Sequence, residues 1–471
     1  MLIRDVEIPF ATKVDVRINA ERISEIGAHL KPRRGEPVIE GHGGALFPGL
    51  HDHHIHLISL AASLESVQCG PPHVMHAEEL AQRLLERAAR RPARNDWIRG
   101  VGYHESVAGE IDRTWLDRII PAAPVRIQHR SGRLWILNSC ALGRIQADVT
   151  DLGRDPLERI DGYVTGRIFD GDAWLRERLP GELRSLRAVS ELLAGFGVTG
   201  VTDVTPHNDL EHYRHFAREQ ARGALLQDVA VMGNSALDAV ASGDGLARGA
   251  TKLYLRENTL PPLEAFCEAI QHSHASRRPV AIHCVTIPEL VFALGALNAS
   301  GSSPGDRIEH AALAPPETLG LIRSLGVSIV TQPGFVRERG DAYLRDVPAE
   351  DIPWLYRLKG LIDAGIPVGG STDAPFGNPN PWLAMEAAVR RTTLAGKVLG
   401  ASEAVTPESA IALFTGSADA PGAPCLQIRP GDKADLCLLD QAWTSARQHL
   451  GDARVVITIK EGKVIWPQRL A

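Results

Sequence analysis

Short apolar runs alternate with longer amphipathic stretches through the central part of the chain. Each apolar run has the length of one buried strand, and between the runs apolar residues recur every three or four positions, as in Leu263–His274 and Ile352–Ala364. The predicted strands are Ala45–Leu50, Gly197–Val204, Asp228–Met232, Thr251–Leu255, Pro279–Cys284, Arg307–Ala311, Val327–Thr331 and Pro367–Ser371. Eight parallel strands separated by helices predict an α/β fold with a TIM-like (β/α)8 barrel.

The two ends of the chain have a different pattern, in which apolar and polar residues alternate as in small antiparallel strands. Val14–Ile18 is one example, and Val455–Ile459 is followed by a Glu461-Gly462 turn that is typical of a hairpin. Neither end is long enough to bury a core of its own, so we expect the two ends to pack together. This predicts a composite β-sandwich domain from 1–46 and 425–471, and a barrel domain from 47–424.

Residues from about 65 to 190 interrupt the strand and helix alternation of the barrel. They contain a helical pattern at Ala77–Arg90, a strand pattern at Val125–Gln128 and several turns. We therefore interpret this part of the chain as an insertion that follows the first barrel strand.

Composition excludes several classes of protein. The chain has 471 residues, of which 44% are hydrophobic and 23% charged, and its net charge of −6 gives no basic surface for nucleic acid. The six cysteines form no C-x-x-C pair, and no apolar run of about 18 residues occurs. Met1–Val6 lack the apolar core of a signal peptide, so we expect none. We expect a cytoplasmic protein with reduced thiols and a small-molecule substrate, without nucleic acid or membrane partners. A homo-oligomer is compatible with the sequence.

Four histidines lie within six residues directly after the first apolar run. Side chains alternate along a strand, so His54 and His56 are expected to point the same way. Two imidazoles at a strand end can reach one divalent metal at about 2.0–2.1 Å, and Asp52 could orient one of them. A merely polar strand end is the alternative interpretation of this pair.

Other strands carry metal-ligating residues at or near their ends. His283 and His310 lie one residue before the ends of the fifth and sixth predicted strands, Asp373 follows the eighth, and Lys252 lies near the start of the fourth. Each has an ordinary alternative role. His283 could be a core histidine and His310 a hydrogen-bonding strand end. Asp373 could be a helix N-cap, and Lys252 a cation that reaches solvent. Because all carboxyl ends of barrel strands lie on one face, a shared site explains these residues better than four coincidences.

This set of residues resembles the metal-dependent hydrolases of the amidohydrolase superfamily. The superfamily pattern has His-x-His after strand one, lysine (often carboxylated) on strand four, histidines on strands five and six, and aspartate after strand eight. The resemblance implies that His54, His56, Lys252, His283, His310 and Asp373 are metal ligands in this chain.

A closer resemblance is to amidohydrolase family 3, the YtcJ-like branch related to N-substituted formamide deformylase. The similar segments extend over nearly the whole chain. They are Gly102–Ser106, Pro124–Leu142, Asp161–Gly166, Arg307–His310, Gln332–Phe335 and Arg429–Leu436. The chain is shorter than is typical of the branch, has Ser131-Gly132-Arg133 where Asp-Gly-His is usual, and has Asp170 near the place of a usual glutamate. These departures lie in the insertion and affect the expected substrate more than the reaction class.

The expected chemistry is hydrolysis of a non-peptide C–N bond, such as an amide or N-substituted formamide, by metal-activated hydroxide. One or two divalent ions, with zinc favoured by nitrogen and oxygen ligands, would lower the pKa of bound water to near 7. A carboxylated Lys252 would bridge two ions as an anion, where a free ammonium would repel them. His283 and His310 would hold the second ion. Asp373 would take the proton and pass it to the leaving nitrogen.

Substrate contacts are expected from the insertion. Arg133 and Trp135 combine a planar cation with a ring suited to an anionic or aromatic substrate, and His104 could line the entrance. Surface solvation is the alternative for Arg133. The run 337–339 after the seventh strand is interpreted as a solvated charged loop.

Two other functions use the same residues. The first is hydrolysis of a cyclic amide or imide, or deamination of a ring, which differs in the nitrogen that leaves. The second belongs to another class, a non-catalytic metal-binding protein that kept the fold.

Overall fold

The computed structural model describes residues 1–9, 13–71, 73–90, 97–145, 155–179, 183–423 and 426–467. The chain divides into two compact units. The first consists of Met1–Leu57 and Ser185–Ala471, and the second of Ile58–Arg184. The second unit corresponds to the predicted insertion.

The first unit contains a sheet of eight strands that pair in chain order, each parallel to the next. The barrel strands are numbered one to eight along the chain. They are Leu50–Ile55, Val198–Asp203, Asp228–Gly233, Leu246–Tyr254, Val280–Cys284, Arg307–His310, Ser328–Thr331 and Val368–Gly370. The predicted parallel α/β barrel is therefore confirmed.

Helices follow most barrel strands and cover the sheet. The α-helices of the first unit after strand one are Arg187–Gly195, Leu210–Ala221, Leu263–Ala275, Ile287–Ser300, Pro316–Leu325, Gly334–Asp346, Lys359–Asp363, Pro381–Arg390, Pro407–Ala412 and Trp443–Ala446. The predicted helix Ile352–Ala364 is wrong, because only a 3-10 turn at Ile352–Trp354 and the short helix Lys359–Asp363 form there. Between them Leu355 makes a β-bridge with Leu313, and Tyr356 has a φ of 45°, which is incompatible with a continuous helix.

Strands one and eight meet through backbone hydrogen bonds made beyond the end of strand eight. The Asp373 N–H donates to the His54 carbonyl at 2.8 Å, and the His56 N–H donates to the Ala374 carbonyl at 2.9 Å. These bonds place Asp373 beside the His-x-His pair by main-chain geometry alone, so the contact does not depend on which side-chain rotamers are adopted.

The terminal segments form two four-stranded sheets. One has the order Arg22–Gly27, Lys13–Asn19, Leu2–Glu7, Val38–Glu40; the other has the order Lys463–Trp466, Val455–Lys460, Leu436–Leu439, Leu46–Pro48. Buried residues of both sheets, including Ile3, Val16 and Leu438, share one core, as the predicted β-sandwich requires. The predicted hairpin turn is also confirmed, with φ of 50° at Glu461 and 73° at Gly462.

The apolar run Ala45–Leu50 is not the first barrel strand. Leu46–Pro48 pairs antiparallel with Leu436–Leu438 in the β-sandwich, and the barrel strand begins at Leu50 and contains the first three histidines. Gly49 separates the two strands, where an added Cβ would lie 2.2 Å from Thr199 Oγ1. An apolar run indicates burial but does not identify the sheet that buries it, which explains the error.

The second unit is built on a six-stranded sheet. Its strand order is Leu157–Ile160, Tyr163–Phe169, Leu134–Leu137, Val125–His129, Ile98–Tyr103, Val67–Gln68. Its helices are Ala77–Ala89, Glu105–Ala108, Arg113–Ile119, Ser139–Arg144 and Asp172–Arg178, and Leu57–Leu64 leads into it from strand one. The helix and the strand predicted for the insertion are both present, and the unit has buried apolar clusters of its own.

Within the described ranges no helix is both long and apolar enough to cross a bilayer. Cys69, Cys140, Cys267, Cys284 and Cys437 are free thiols. Cys425 lies outside the described residues.

Candidate metal centre

Two histidines and an aspartate meet at the carboxyl end of the barrel. The Nε2 atoms of His54 and His56 lie 3.4 and 3.3 Å from Oδ1 of Asp373. One ligand atom from each residue lies within 4.8 Å of the other two. In the part of the chain that the structure describes, no other group of three or more His, Cys, Asp or Glu residues has this geometry. The three residues could therefore hold one metal ion.

Two further histidines extend this group. The ring centroids of His54 and His310 are 4.7 Å apart, and those of His310 and His283 are 4.4 Å apart. Strands five and six are hydrogen-bonded neighbours, in which His283 lies opposite Glu309 and His310 is one residue further along its strand. The structure thus brings together the four predicted histidines and Asp373; that each binds metal stays a prediction.

Lys252 lies in the same region, although its strand differs from the predicted one. Strand four begins at Leu246, so Lys252 is near its carboxyl end and not near its start. Its side chain is buried, and its Nζ has no hydrogen-bond partner among the described residues; the nearest carboxylate oxygen, Oε1 of Glu309, is 3.9 Å away. Burial lowers the pKa of Lys252 to about 8, against the opposing effect of Glu309.

Glu309 is a residue whose role the sequence reasoning missed. Its carboxylate is fully buried and accepts from His54 Nδ1 at 2.5 Å and from Arg307 Nε at 2.6 Å. Burial alone would raise the pKa of Glu309, but Arg307, Lys252 and His54 lower it well below its usual value. The available signal was a pair of opposite charges, Arg307 and Glu309, within a predicted barrel strand, since such residues are rarely buried without partners.

Three histidines of the centre use Nδ1 to bind a neighbouring oxygen. His54 uses Glu309, His56 uses Thr205 Oγ1 at 2.9 Å, and His310 uses Gln332 Oε1 at 2.7 Å. When Nδ1 donates in this way, the Nε2 lone pair is left for a metal, and the ring orientation is fixed. The expectation that Asp52 orients an imidazole is wrong, because its carboxylate accepts from Thr372 Oγ1 and from the backbone N–H groups of Thr372 and His54.

The protonation states of the remaining groups fit a cation site. Burial lowers the pKa of His310 to about 3 and that of His283 well below its usual value, so both rings are neutral and can donate a lone pair. Burial alone would raise the pKa of Asp373, but His54, His56 and His310 lower it well below its usual value. The Oδ1 atom of this ionised carboxylate is buried without a hydrogen bond. A divalent cation would satisfy these atoms, so the residues fit the metal that the sequence implies.

The other two histidines of the cluster point away from this centre. His51 Nε2 bonds Thr202 Oγ1 at 2.9 Å, and the ring of His53 packs against that of His51 with centroids 4.6 Å apart. Burial lowers the pKa of both rings. Strand alternation separates them from His54 and His56, as the sequence predicts.

The three predicted substrate contacts lie in the second unit. Arg133 forms a two-pronged ion pair with Asp170, at 2.9 and 2.6 Å. Trp135 is buried and its Nε1 donates to Asp172 at 2.9 Å, while His104 Nδ1 lies 2.8 Å from Ser106 Oγ at the start of a helix. All three have structural roles inside their own unit, and their contact with substrate stays a prediction.

The charged run after strand seven is not a solvated loop. Arg337, Glu338 and Arg339 lie in the helix Gly334–Asp346 and are half-buried. The sequence interpretation was wrong because Phe335 and Val336, just before the run, are buried in an apolar cluster near the start of this helix. The charged residues that follow on the same helix are therefore partly buried.

Removing divalent metal with a chelator is expected to lower the thermal unfolding midpoint, and adding zinc is expected to restore it. A ligand present at 100 times its Kd stabilises the native state by about 2.7 kcal/mol. His56→Ala should lose this zinc response, measured by differential scanning fluorimetry and metal analysis. His272→Ala, which removes an exposed imidazole, is the matched control. An identical zinc response in His56→Ala and the parent would contradict the assigned centre.

Comparison with known proteins identifies the family of this chain. The model of the amidohydrolase family matches residues 38–466 of the chain. A curated relative, the N-substituted formamide deformylase of Arthrobacter pascens, is 26% identical over 497 aligned positions, which cover 90% of each protein. The putative amidohydrolase YtcJ of Bacillus subtilis is 24% identical and covers 82% of each.

Solved structures share the fold. An uncharacterized metal-dependent hydrolase from Pyrococcus horikoshii superposes with a TM-score of 0.78 at 23% identity, over 96% of this chain and 99% of that one. Because the family model covers most of the sequence, including every predicted metal ligand, the chain belongs to the amidohydrolase family of enzymes.

Proposed function

We propose that this protein is a zinc-dependent hydrolase that cleaves the C–N bond of a small N-substituted amide or formamide. The observation that carries the proposal is the meeting of His54, His56 and Asp373 within 4.8 Å at the carboxyl end of the barrel. The relative from Arthrobacter pascens, a formamide deformylase, supports the choice of substrate class.

Zinc is proposed because neutral imidazoles and one carboxylate are the ligands it commonly takes in catalytic sites. His54, His56 and Asp373 would hold the ion, and His283, His310 and Lys252 would hold a second one. A bound zinc ion polarises the carbonyl of a substrate and makes water a stronger acid. The chain's own residues must then position the amide and move the protons.

Lys252 is proposed to be N-carboxylated in the loaded enzyme. In that reaction the unprotonated Nζ bonds to the carbon of CO2 and a proton is released, which gives an anionic side chain. The buried Nζ has no hydrogen-bond partner among the described residues, and a pKa of about 8 leaves an appreciable unprotonated fraction near neutral pH. A carboxylated lysine would bring two ligand oxygens to the centre.

Asp373 is proposed as the group that moves the proton. Its low pKa keeps it ionised, and Oδ1 faces the two imidazoles without a hydrogen bond. From this position Oδ1 takes a proton from the attacking water and delivers it to the nitrogen that leaves, so amine and acid are the products. The low pKa favours rapid return of the proton.

The test is a product assay with zinc-loaded protein and a panel of N-alkyl and N-aryl formamides and acetamides, one cyclic imide and one aminopyrimidine. Amine, formate or acetate, and ammonia are measured separately, with and without bicarbonate. We expect equimolar amine and acid, and higher activity with bicarbonate. Ammonia from the aminopyrimidine alone would instead indicate ring deamination, and zinc binding without any product would overturn the proposed reaction.

A further inference from the structure

Arg339 lies beside the metal centre on the helix that follows strand seven. Its Nη2 donates to the carbonyl of Phe376 at 2.7 Å, and the ring of Phe376 contacts that of His56 edge to face, with centroids 5.5 Å apart. The Phe376 N–H donates to the Asp373 carbonyl, which closes a turn that brings the two Cα atoms within about 7 Å. One turn of chain therefore separates the guanidinium from the proposed catalytic carboxylate.

The guanidinium is held rigidly. Its Cζ lies 3.7 Å from the ring centroid of Phe335, which is buried at the start of the same helix. Stacking on an aromatic ring fixes the plane of an arginine and leaves the edges of that plane for hydrogen bonds. The orientation of the remaining N–H groups is therefore set before any ligand arrives.

Most of the donors of Arg339 are uncommitted. Among the described residues it makes one hydrogen bond, to the Phe376 carbonyl, and no ion pair with a carboxylate within 4.0 Å. The neighbouring Glu338 is engaged with the Asn378 N–H at 3.1 Å. By contrast, the half-buried Arg357 pairs with the carboxylate of Glu403 at 2.8 Å.

Two tyrosine hydroxyl groups are part of the surroundings of Arg339. Tyr343 and Tyr356 lie with their hydroxyl oxygens 3.3 Å apart, and the ring of Tyr356 contacts that of Phe335. Although burial by itself lowers the pKa of Arg339, these tyrosines and Asp373 raise it above its usual value. The group is a permanent cation within electrostatic range of the centre.

From this geometry we infer that Arg339 binds a carboxylate of the substrate, which makes the preferred substrates N-acyl or N-formyl amino acids and related amide acids rather than neutral amides. This inference rests on the proposed function and adds the substrate class. Since one turn separates Arg339 from Asp373, the carboxylate belongs on a short chain attached to the leaving nitrogen.

A purely structural role is the competing explanation, because the bond from Arg339 to Phe376 also holds the loop that carries Asp373. Loss of that bond would lower binding and turnover of charged and neutral compounds alike. Loss of a carboxylate contact would lower them only for the charged compound. The ratio of the dissociation constants of a charged ligand and its neutral isostere therefore separates the two roles.

The binding test uses levulinate, which is N-acetylglycine with a methylene in place of the amide nitrogen and is not hydrolysed. Levulinamide is the neutral isostere. Isothermal titration calorimetry is done on the full-length protein with and without added zinc. The parent is expected to bind levulinate about tenfold to 100-fold more tightly than levulinamide, as for a charge-assisted hydrogen-bonded pair.

Three variants complete the test. Arg339→Gln should abolish the preference and Arg339→Lys should keep part of it, because lysine retains the charge without the planar fork. Arg345→Gln, which removes an exposed cation from the same helix, should keep all of it. No preference in the parent, or an equal preference in Arg339→Gln, would overturn the assignment. Because levulinate binding does not require turnover, failure of the proposed hydrolysis would be seen separately, in the amide panel.

Discussion

Asp373→Asn is expected to lower kcat on a hydrolysed amide by about 10³-fold or more, within the range lost when a positioned acid–base group is removed. The amide side chain has nearly the shape of the carboxylate but cannot accept and return a proton. The backbone N–H of residue 373 still bonds the His54 carbonyl, so the loop should keep its place. Steady-state kinetics with zinc-loaded protein measure this effect.

The zinc content of the variant must be measured in the same experiment, because Asp373 is also a predicted ligand. Asp363→Asn is the matched control, since Asp363 is an exposed carboxylate paired with Lys359 and far from the carboxyl ends of the strands. If Asp373→Asn with full zinc occupancy turned over as fast as this control, proton transfer through Asp373 would be excluded.

Glu309→Gln is expected to weaken both the fold and the metal centre. Arg307 Nε and His54 Nδ1 each need an acceptor, and the two carboxylate oxygens of Glu309 supply them. Glutamine has one oxygen, so its NH2 group must face one of these donors. Breaking a buried charge pair in this way costs about 3–5 kcal/mol, which should lower the thermal midpoint of the metal-free protein.

The same substitution should reduce zinc affinity about 10-fold to 100-fold, because His54 loses the group that fixes its ring and its tautomer. Competition with a chromogenic chelator gives the affinity. Glu268→Gln removes an exposed carboxylate in the middle of a barrel helix and should change neither property. Unchanged stability and zinc affinity in Glu309→Gln would show that this buried network does not support the centre.

Local patterns were enough to predict the barrel and to place candidate ligands on one face of it. A strand alternates its side chains, so His54 and His56 had to share a face, and the strand-end positions of His283 and His310 placed them on one side of a parallel barrel. Errors occurred where the local composition of a segment was the only signal for its structure. The run Ala45–Leu50 was assigned to the barrel although Leu46–Pro48 pairs in the β-sandwich, and 337–339 was assigned to a loop although it lies in a helix.

By itself the sequence determined the order of the barrel strands, which depends on periodicity along the chain. It also indicated the candidate ligands, through their strand-end positions and the resemblance to the amidohydrolase superfamily. Only the tertiary structure decided how the ligands are supported. The contacts of His54 with Glu309 and of His310 with Gln332 join different strands, and the bond from Arg339 to Phe376 joins segments after strands seven and eight. Such contacts are set by strand register and barrel closure, which no local pattern specifies.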